Sequence, residues 1–334
     1  MALKCNKGEI EMKTRVTELL KIEMPIVQGG LAHLAYAELA AAVSNAGGLG
    51  QVTALTLPSP EALREEIRKV RSLTDKPFGV NFAIGQHNQS YPDYLEVAIE
   101  EKVPAISITG GNPKPLLDRL AGTGIVTMVL VASVRQAQKA EELGANIVMA
   151  VGNEGGGHLG RDEVGTMVLV PRVAESVRIP VLASGGIVDG RGILAALALG
   201  AEGVEMGTRF IATKECVHAH ENYKQRILEA SETDTVIIKK SIGAPARALK
   251  SKATEEILAL EAKGVGYEGL KDHISGEANR RAIHEGKMEE GHSWAGQGVG
   301  LIRDIPSVAE LFERIVKEMN EGYHRIGGVL RATV

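Results

Sequence analysis

Short apolar runs alternate with longer amphipathic stretches along the first two-thirds of the chain. The apolar runs cover residues 25–28, 49–53, 78–81, 105–108, 126–130, 146–149, 180–183 and 203–206. Each is too short for a helix, and most are rich in β-branched residues, so each is expected to be a strand. Between them, residues 36–45, 60–73, 91–102, 113–120, 133–143, 168–177 and 191–199 carry apolar positions at helical spacing. Local signals agree. Ser59-Pro60 reads as an N-cap followed by a first-turn proline, Ser133 opens the next-but-two helix, and Gly47, Gly144 and Gly200 stand where helices should stop.

Alternation of strand and helix implies parallel strands joined by crossovers. Eight such units predict an α/β fold, a (β/α)8 TIM barrel, whose usual length is about 250 residues. An open doubly wound sheet is the alternative. Against it, no GxGxxG follows the first apolar run. After the eighth strand the pattern breaks into a charged, mostly helical stretch with no clean strand repeat. A clear amphipathic helix then follows over residues 305–320, apolar at Val308, Leu311, Ile315 and Met319. That helix reads as the eighth of the barrel. The expected organisation is therefore a barrel built from 1–212 and 296–334. Residues 213–295 form a mainly helical lid insertion after strand eight, over the C-terminal mouth.

Composition narrows the class. The 334 residues are 44% hydrophobic, enough for a large core. A net charge of −4 offers no basic footprint, so nucleic acid is not expected as a partner. No apolar run reaches membrane-spanning length and no charged-then-apolar leader opens the chain, so no membrane partner and a cytoplasmic location are expected. The only cysteines, Cys5 and Cys216, make no disulfide framework, which suits a reducing compartment. A homodimer is the default among oligomers. The 39 glycines imply many tight loops, and aromatics at 3% mean that a planar ligand would lie mostly against aliphatic side chains and backbone.

Barrel active sites form at the carboxyl ends of the strands, and the glycines gather there: Gly29-Gly30, Gly110-Gly111, the stretch GNEGGGHLG from Gly152 to Gly160, Ser184-Gly185-Gly186 and Gly207-Thr208. The loops after the seventh and eighth strands form a phosphate-site pattern, with unpaired amides turned outward; a plain tight turn is the other reading. Asn81 interrupts an apolar strand, so its amide must bond either backbone or the polar edge of a ligand. His158 is the single titratable ring among five glycines, either a solvated turn residue or a group held against a ligand. An ordinary imidazole titrates near 6.5 and could act as base or donor. Glu154 and Asp189 read first as a turn acid and a helix cap, second as groups orienting His158 or the phosphate helix. Cys216, His218 and His220 could reach one ion, although a solvated loop is the more ordinary outcome, and no metal is expected. Lys239, Lys240 and Arg247 could meet an anionic substrate or nothing.

Several segments taken together resemble the nitronate monooxygenase family, formerly 2-nitropropane dioxygenases. They are residues 25–30, 45–50, 76–81, 154–158, 183–187, 206–210 and 293–297, with the sequences PIVQGG, NAGGLG, KPFGVN, EGGGH, ASGGI, MGTRF and SWAGQ. The same superfamily holds NADH:quinone reductases and type II enoyl-ACP reductases. The resemblance implies FMN as cofactor, with Gly29, Gly30 and Leu31 beside the isoalloxazine, Asn81 at its polar edge and Gly156 nearby. It implies Ser184, Gly185, Gly186, Gly207 and Thr208 at the 5′-phosphate and His158 as the catalytic residue over the ring. Some members carry lysine or glutamine near the end of strand five, where this chain has the apolar Met128-Val129-Leu130-Val131. That apolar end suits a small alkyl nitronate, oxidised with O2. The alternative is NAD(P)H-dependent reduction of a quinone or enoyl acceptor; the sequence shows no dinucleotide fingerprint. A phosphate-binding barrel without catalysis is the alternative from another class. IMP dehydrogenase-like chemistry needs a cysteine after strand six, where none stands.

Overall fold

The structure is a computed structural model that describes residues 12–85 and 91–330; Cys5 lies outside them. The strands are β1 (Ile26–Gln28), β2 (Gly50–Thr53), β3 (Phe78–Ala83), β4 (Ala105–Thr109), β5 (Val126–Val131), β6 (Ile147–Val151), β7 (Gly157–His158), β8 (Val181–Ser184), β9 (Gly203–Met206), β10 (Thr235–Ile238) and β11 (Ala246–Leu249). The helices are α1 (Arg15–Leu20), α2 (Ala37–Asn45), α3 (Pro60–Leu73), α4 (Tyr91–Glu100), α5 (Lys114–Leu120), α6 (Val134–Glu142) and α7 (Thr166–Ala174). They continue as α8 (Gly190–Ala198), α9 (Thr208–Ile211), α10 (Glu221–Glu229), α11 (Lys252–Ala262), α12 (Tyr267–Leu270), α13 (Gly276–Ile283) and α14 (Val308–Val329).

Eight parallel strands run in the order β1-β9-β8-β6-β5-β4-β3-β2. The ring closes between the two end strands, where Val27 bridges Leu49, Gln28 N donates to Leu49 O at 2.9 Å and Leu49 N to Ile26 O at 2.9 Å. This is the expected TIM barrel. Its strands are almost wholly buried, which is why they read as continuous apolar runs rather than alternating ones. The outer helices bury one stripe each: Leu63, Ile67 and Val70 on α3 lie four and three residues apart. Ser59 and Ser133 accept hydrogen bonds from Ala62 N and Gln136 N, capping α3 and α6 as their sequence signals require. Helix α14 packs against α8 and α2 and so completes the ring. It opens at Ser307, whose side chain forms a capping box with Glu310, and it runs beyond residue 320.

Helix α1 carries no strong sequence signal, being only six residues long. Val16 and Leu20 from it join Val27, Leu49, Met128, Ile147, Met149 and Leu182 in one apolar cluster. Those residues fill the barrel interior, and α1 plugs its N-terminal end.

Between β9 and α14 the chain leaves the barrel. The excursion is mainly helical, with α10 to α13, and it contains one sheet that periodicity did not show. Strands β10 and β11 form an antiparallel hairpin, and β11 also pairs with β7, aligning Ala246 with His158 and Arg247 with Gly157. The hairpin thus grips the glycine loop that follows β6. Among the described residues no helix is long and apolar enough to cross a membrane.

Candidate active site

The carboxyl ends of the barrel strands surround a cavity of about 230 Å³. Its wall contains every residue that the resemblance assigned to the cofactor or to catalysis: Gly29, Gly30 and Leu31 after β1, Asn81 on β3, Gly156 and His158 after β6, Ser184, Gly185 and Gly186 at the end of β8, and Gly207 and Thr208 after β9. The excursion supplies the roof, with Tyr223 from α10, Asn279 and Ile283 from α13, and Trp294. Leu130 of β5 and Val151 of β6 give the wall an apolar flank, so the end of β5 is as apolar in space as in sequence.

Two features of the wall have a steric cause. Gly30 lies against the Asn81 carboxamide, which a Cβ there would overlap. Asn81 Nδ2 donates to Ser107 Oγ at 2.9 Å and to Thr109 Oγ1 at 3.4 Å, fixing the amide at the cavity wall. Gly185 and Gly186 have φ of 96° and 77°, a region that residues with a Cβ avoid. The two glycines line the cavity together with Gly207 and Thr208. Thr208 Oγ1 accepts from Gly296 N at 3.0 Å, tying this corner to the segment by which the chain returns to the barrel.

Glu205, on β9, is a site residue the sequence reading passed over. It is buried at the cavity wall, and burial pushes its carboxyl up from the usual carboxylate range, an effect that a hydrogen bond with Ser184 partly opposes. A Cβ on Gly29 would meet Glu205 Oε1 at 3.0 Å, so this acid lies directly beneath the first glycine loop. The signal was available: an acid inside a strand buried on both faces is costly and must have a local reason.

His158 is held from three sides. Leu159 N donates to Pro245 O at 2.9 Å, and Arg247 of β11 donates Nε and Nη2 to Asn153 O at 3.1 and 2.9 Å. His158 Nε2 lies 3.2 Å from Lys239 Nζ, and its ring centroid lies 6.2 Å from that of Trp294. The ring's exposed surface faces the cavity, with protein packed around the rest. His158 stays exposed at the cavity; desolvation by the groups packed around it, and then the positive charge of Lys239, hold its pKa down to about 4. The imidazole is therefore neutral near pH 7 and a weak base, unlike the ordinary group suggested by sequence. Lys239 is itself pulled down to about 8 by burial, against the opposing influence of Glu261.

The other candidates have structural duties. Glu154 accepts from Thr166 N at 2.8 Å and from Thr166 Oγ1 at 3.0 Å at the start of α7, and Asp189 Oδ1 accepts from Gly192 N at 2.9 Å as the cap of α8. Lys240 pairs with Glu163 at 2.5 Å. Cys216, His218 and His220 do not converge. Cys216 is buried with its thiol pushed up to about 12, His218 packs edge-on against Tyr36, and His220 Nδ1 accepts from Asn222 N to cap α10. Among the described residues no group of three His, Cys, Asp or Glu side chains is arranged to hold a metal.

A closed parallel barrel with a glycine-walled mouth and one histidine in it defines a TIM-barrel enzyme. The model of the nitronate monooxygenase family matches residues 13–94 and 82–318. A probable nitronate monooxygenase of Staphylococcus saprophyticus is 33% identical, covering 95% of this chain and all of that protein. Among solved structures, FabK from Thermotoga maritima superposes with a TM-score of 0.90 at 43% identity, over 96% of this chain and 100% of that one. The nitroalkane oxidase of Streptomyces ansochromogenes superposes with a TM-score of 0.81 at 28% identity, over 93% and 99%. The chain belongs to the nitronate monooxygenase family, within an oxidoreductase superfamily that is generally flavin-dependent.

Proposed function

We propose that this chain binds FMN in the barrel mouth and oxidises small alkyl nitronates with O2. The observation that carries the substrate class is the neutral imidazole of His158 backed by a buried ammonium, an arrangement that receives an anion and does not remove a proton. An imidazole held low in this way is a weak base for a neutral nitroalkane, which favours a substrate that arrives already as the nitronate.

The residues fit the cofactor. The wall at Gly29 and Gly30 is bare backbone, as a flat ring system requires, with Leu31 next to it, and Asn81 offers a fixed amide beside it. Ser184, Gly185, Gly186, Gly207 and Thr208 would hold the phosphate through backbone amides and hydroxyls, and Gly156 approaches from the opposite loop. FMN bound there supplies the acceptor for the substrate's electrons. The protein then has three tasks. His158 hydrogen-bonds a nitronate oxygen, Leu130 and Val151 take the alkyl chain, and Tyr223 and Trp294 exclude water. Residues 213–295 act as the lid that sets substrate choice, because all the roof residues come from that stretch.

A second reading is favoured by the 43% identity to FabK, an enoyl-ACP reductase. Here NAD(P)H is the reductant, and His158 hydrogen-bonds the thioester carbonyl, which gains negative charge on reduction. Anaerobic mixing of the purified yellow protein with each reductant separates the two. Bleaching of the band near 450 nm by alkyl nitronate, with NADH and NADPH inert, supports nitronate oxidation. Bleaching by NADH or NADPH alone makes the protein a reductase.

A further inference from the structure

We infer that Lys239 is the positioning residue of this site: its ammonium occupies Nε2 of His158 and so fixes the imidazole as the Nδ1–H tautomer, leaving Nδ1–H as the ring's hydrogen-bond donor. The inference rests on the reading of the barrel mouth as the reaction site, and it concerns a residue outside the cavity wall itself.

An ammonium has donors and no acceptor. At 3.2 Å from Nε2 it must donate to the ring's lone pair, which requires Nε2 to be unprotonated and puts the ring proton on Nδ1. The placement of Lys239 is over-determined. It follows β10 with φ of 64°, a conformation uncommon for a residue with a side chain. Glu261 of α11 holds that turn by accepting from Lys239 N at 2.9 Å and from Ser241 N at 2.8 Å. The Nζ lies 5.1 Å from the centroid of the Trp294 ring, a cation–π distance, so the aromatic face and the imidazole flank one charge. The side chain is buried, and among the described residues its ammonium makes no ion pair with a carboxylate. A buried cation without a carboxylate is costly to keep. Here its polar partner is the imidazole that lines the cavity.

The charged and titratable groups facing the pair are few. Glu261 touches Lys239 through backbone amides, and His292, stacked 4.4 Å from Trp294, is buried and held down to about 4. Arg247 of β11 spends its guanidinium on Asn153 O and Thr235 Oγ1. Lys239 is thus the group whose ionisation changes what Nε2 meets: above about pH 8 a neutral amine can accept as well as donate, and selection of the tautomer is lost.

The test uses the flavin-loaded protein with ¹⁵N-labelled histidine, the His158 signals being assigned by their disappearance in His158→Gln. At pH 7 the wild type should show a protonated Nδ1 and a bare Nε2. Lys239→Arg, which keeps the charge, should preserve that pattern and the turnover. Lys239→Met should lose it and lower kcat about tenfold or more, less than the roughly 10²–10⁴-fold of a group that acts on the substrate itself. The alkaline fall in kcat near pH 8 should be absent from both variants, and the acid limb should move to higher pH in Lys239→Met only, since a neighbouring cation no longer opposes protonation of His158. A wild-type tautomer pattern in folded, yellow Lys239→Met overturns the inference. Turnover of neither substrate class by a wild type with the expected pattern would sink the proposed reaction and leave the inference standing.

Discussion

Arg247 of the excursion hairpin and Asn153 of the barrel are joined by two hydrogen bonds, from Nε at 3.1 Å and Nη2 at 2.9 Å to one carbonyl. With the alignment of Arg247 to Gly157, this contact holds the glycine loop where β7 pairs with β11. The loop that carries His158 therefore takes its shape from a segment some ninety residues later (|i−j| = 94).

Replacement of Arg247 by methionine removes those bonds while keeping an apolar stem. Because Arg247 is buried and its acceptors then lose their partners, stability should fall by about 1–3 kcal/mol. Turnover should fall together with it, because His158 is no longer fixed against the cavity. Urea unfolding and steady-state kinetics on the same preparation check both; an active enzyme with weakened stability would detach the loop from the chemistry.

The glycine wall makes a prediction about cofactor content. Gly30→Ala should push the Asn81 carboxamide off Ser107, and Gly186→Val should force a side chain into a left-handed conformation. Both proteins should fold yet purify with much less flavin, read from absorbance near 450 nm against 280 nm. Full flavin in Gly186→Val would place the phosphate elsewhere.

His158→Ala should lower turnover at least a hundredfold, within the roughly 10²–10⁴-fold span of such groups, and leave flavin bound. In the wild type the rate should hold steady from neutral pH down to about 5 and drop as pH falls through about 4, where the ring takes up a proton. An acid limb near 6.5 would show that neither the groups packed around the ring nor Lys239 hold its pKa down.

The same physics acts on stability. His33, His158 and His292 are each held down to about 4, chiefly by burial. An unfolded histidine titrates near 6.5. Between those values the unfolded chain binds more protons than the folded one, so stability is fully present above about 6.5 and drains away as pH falls toward 4. His292→Gln should flatten that slope in urea unfolding measured at pH 7, 6 and 5. A slope unchanged from wild type would mean that His292 contributes none of it.

Much of the barrel was legible in the sequence. The short apolar runs and the helices between them are local signals, and parallel strands buried on both faces announce themselves as continuous apolar stretches. Ser59, Ser133 and the glycines at strand ends act within a few residues of themselves, so sequence alone marked where chain would turn and where a cavity wall would lie. Three things went unmarked. Strand β7 is two residues long and exists because β11 pairs with it, and pairing across such a separation leaves no periodic trace. Glu205 looked like one acid in a strand until closure of the barrel buried it under Gly29. His158 was visible as an odd ring among glycines, but its neutrality is set chiefly by the groups packed around it and then by Lys239, eighty-one positions away, to which we assign its tautomer. Composition and spacing determine which groups a chain owns; their protonation is decided by what else is packed around them, because desolvation and neighbouring charge are properties of the assembled volume and not of the chain.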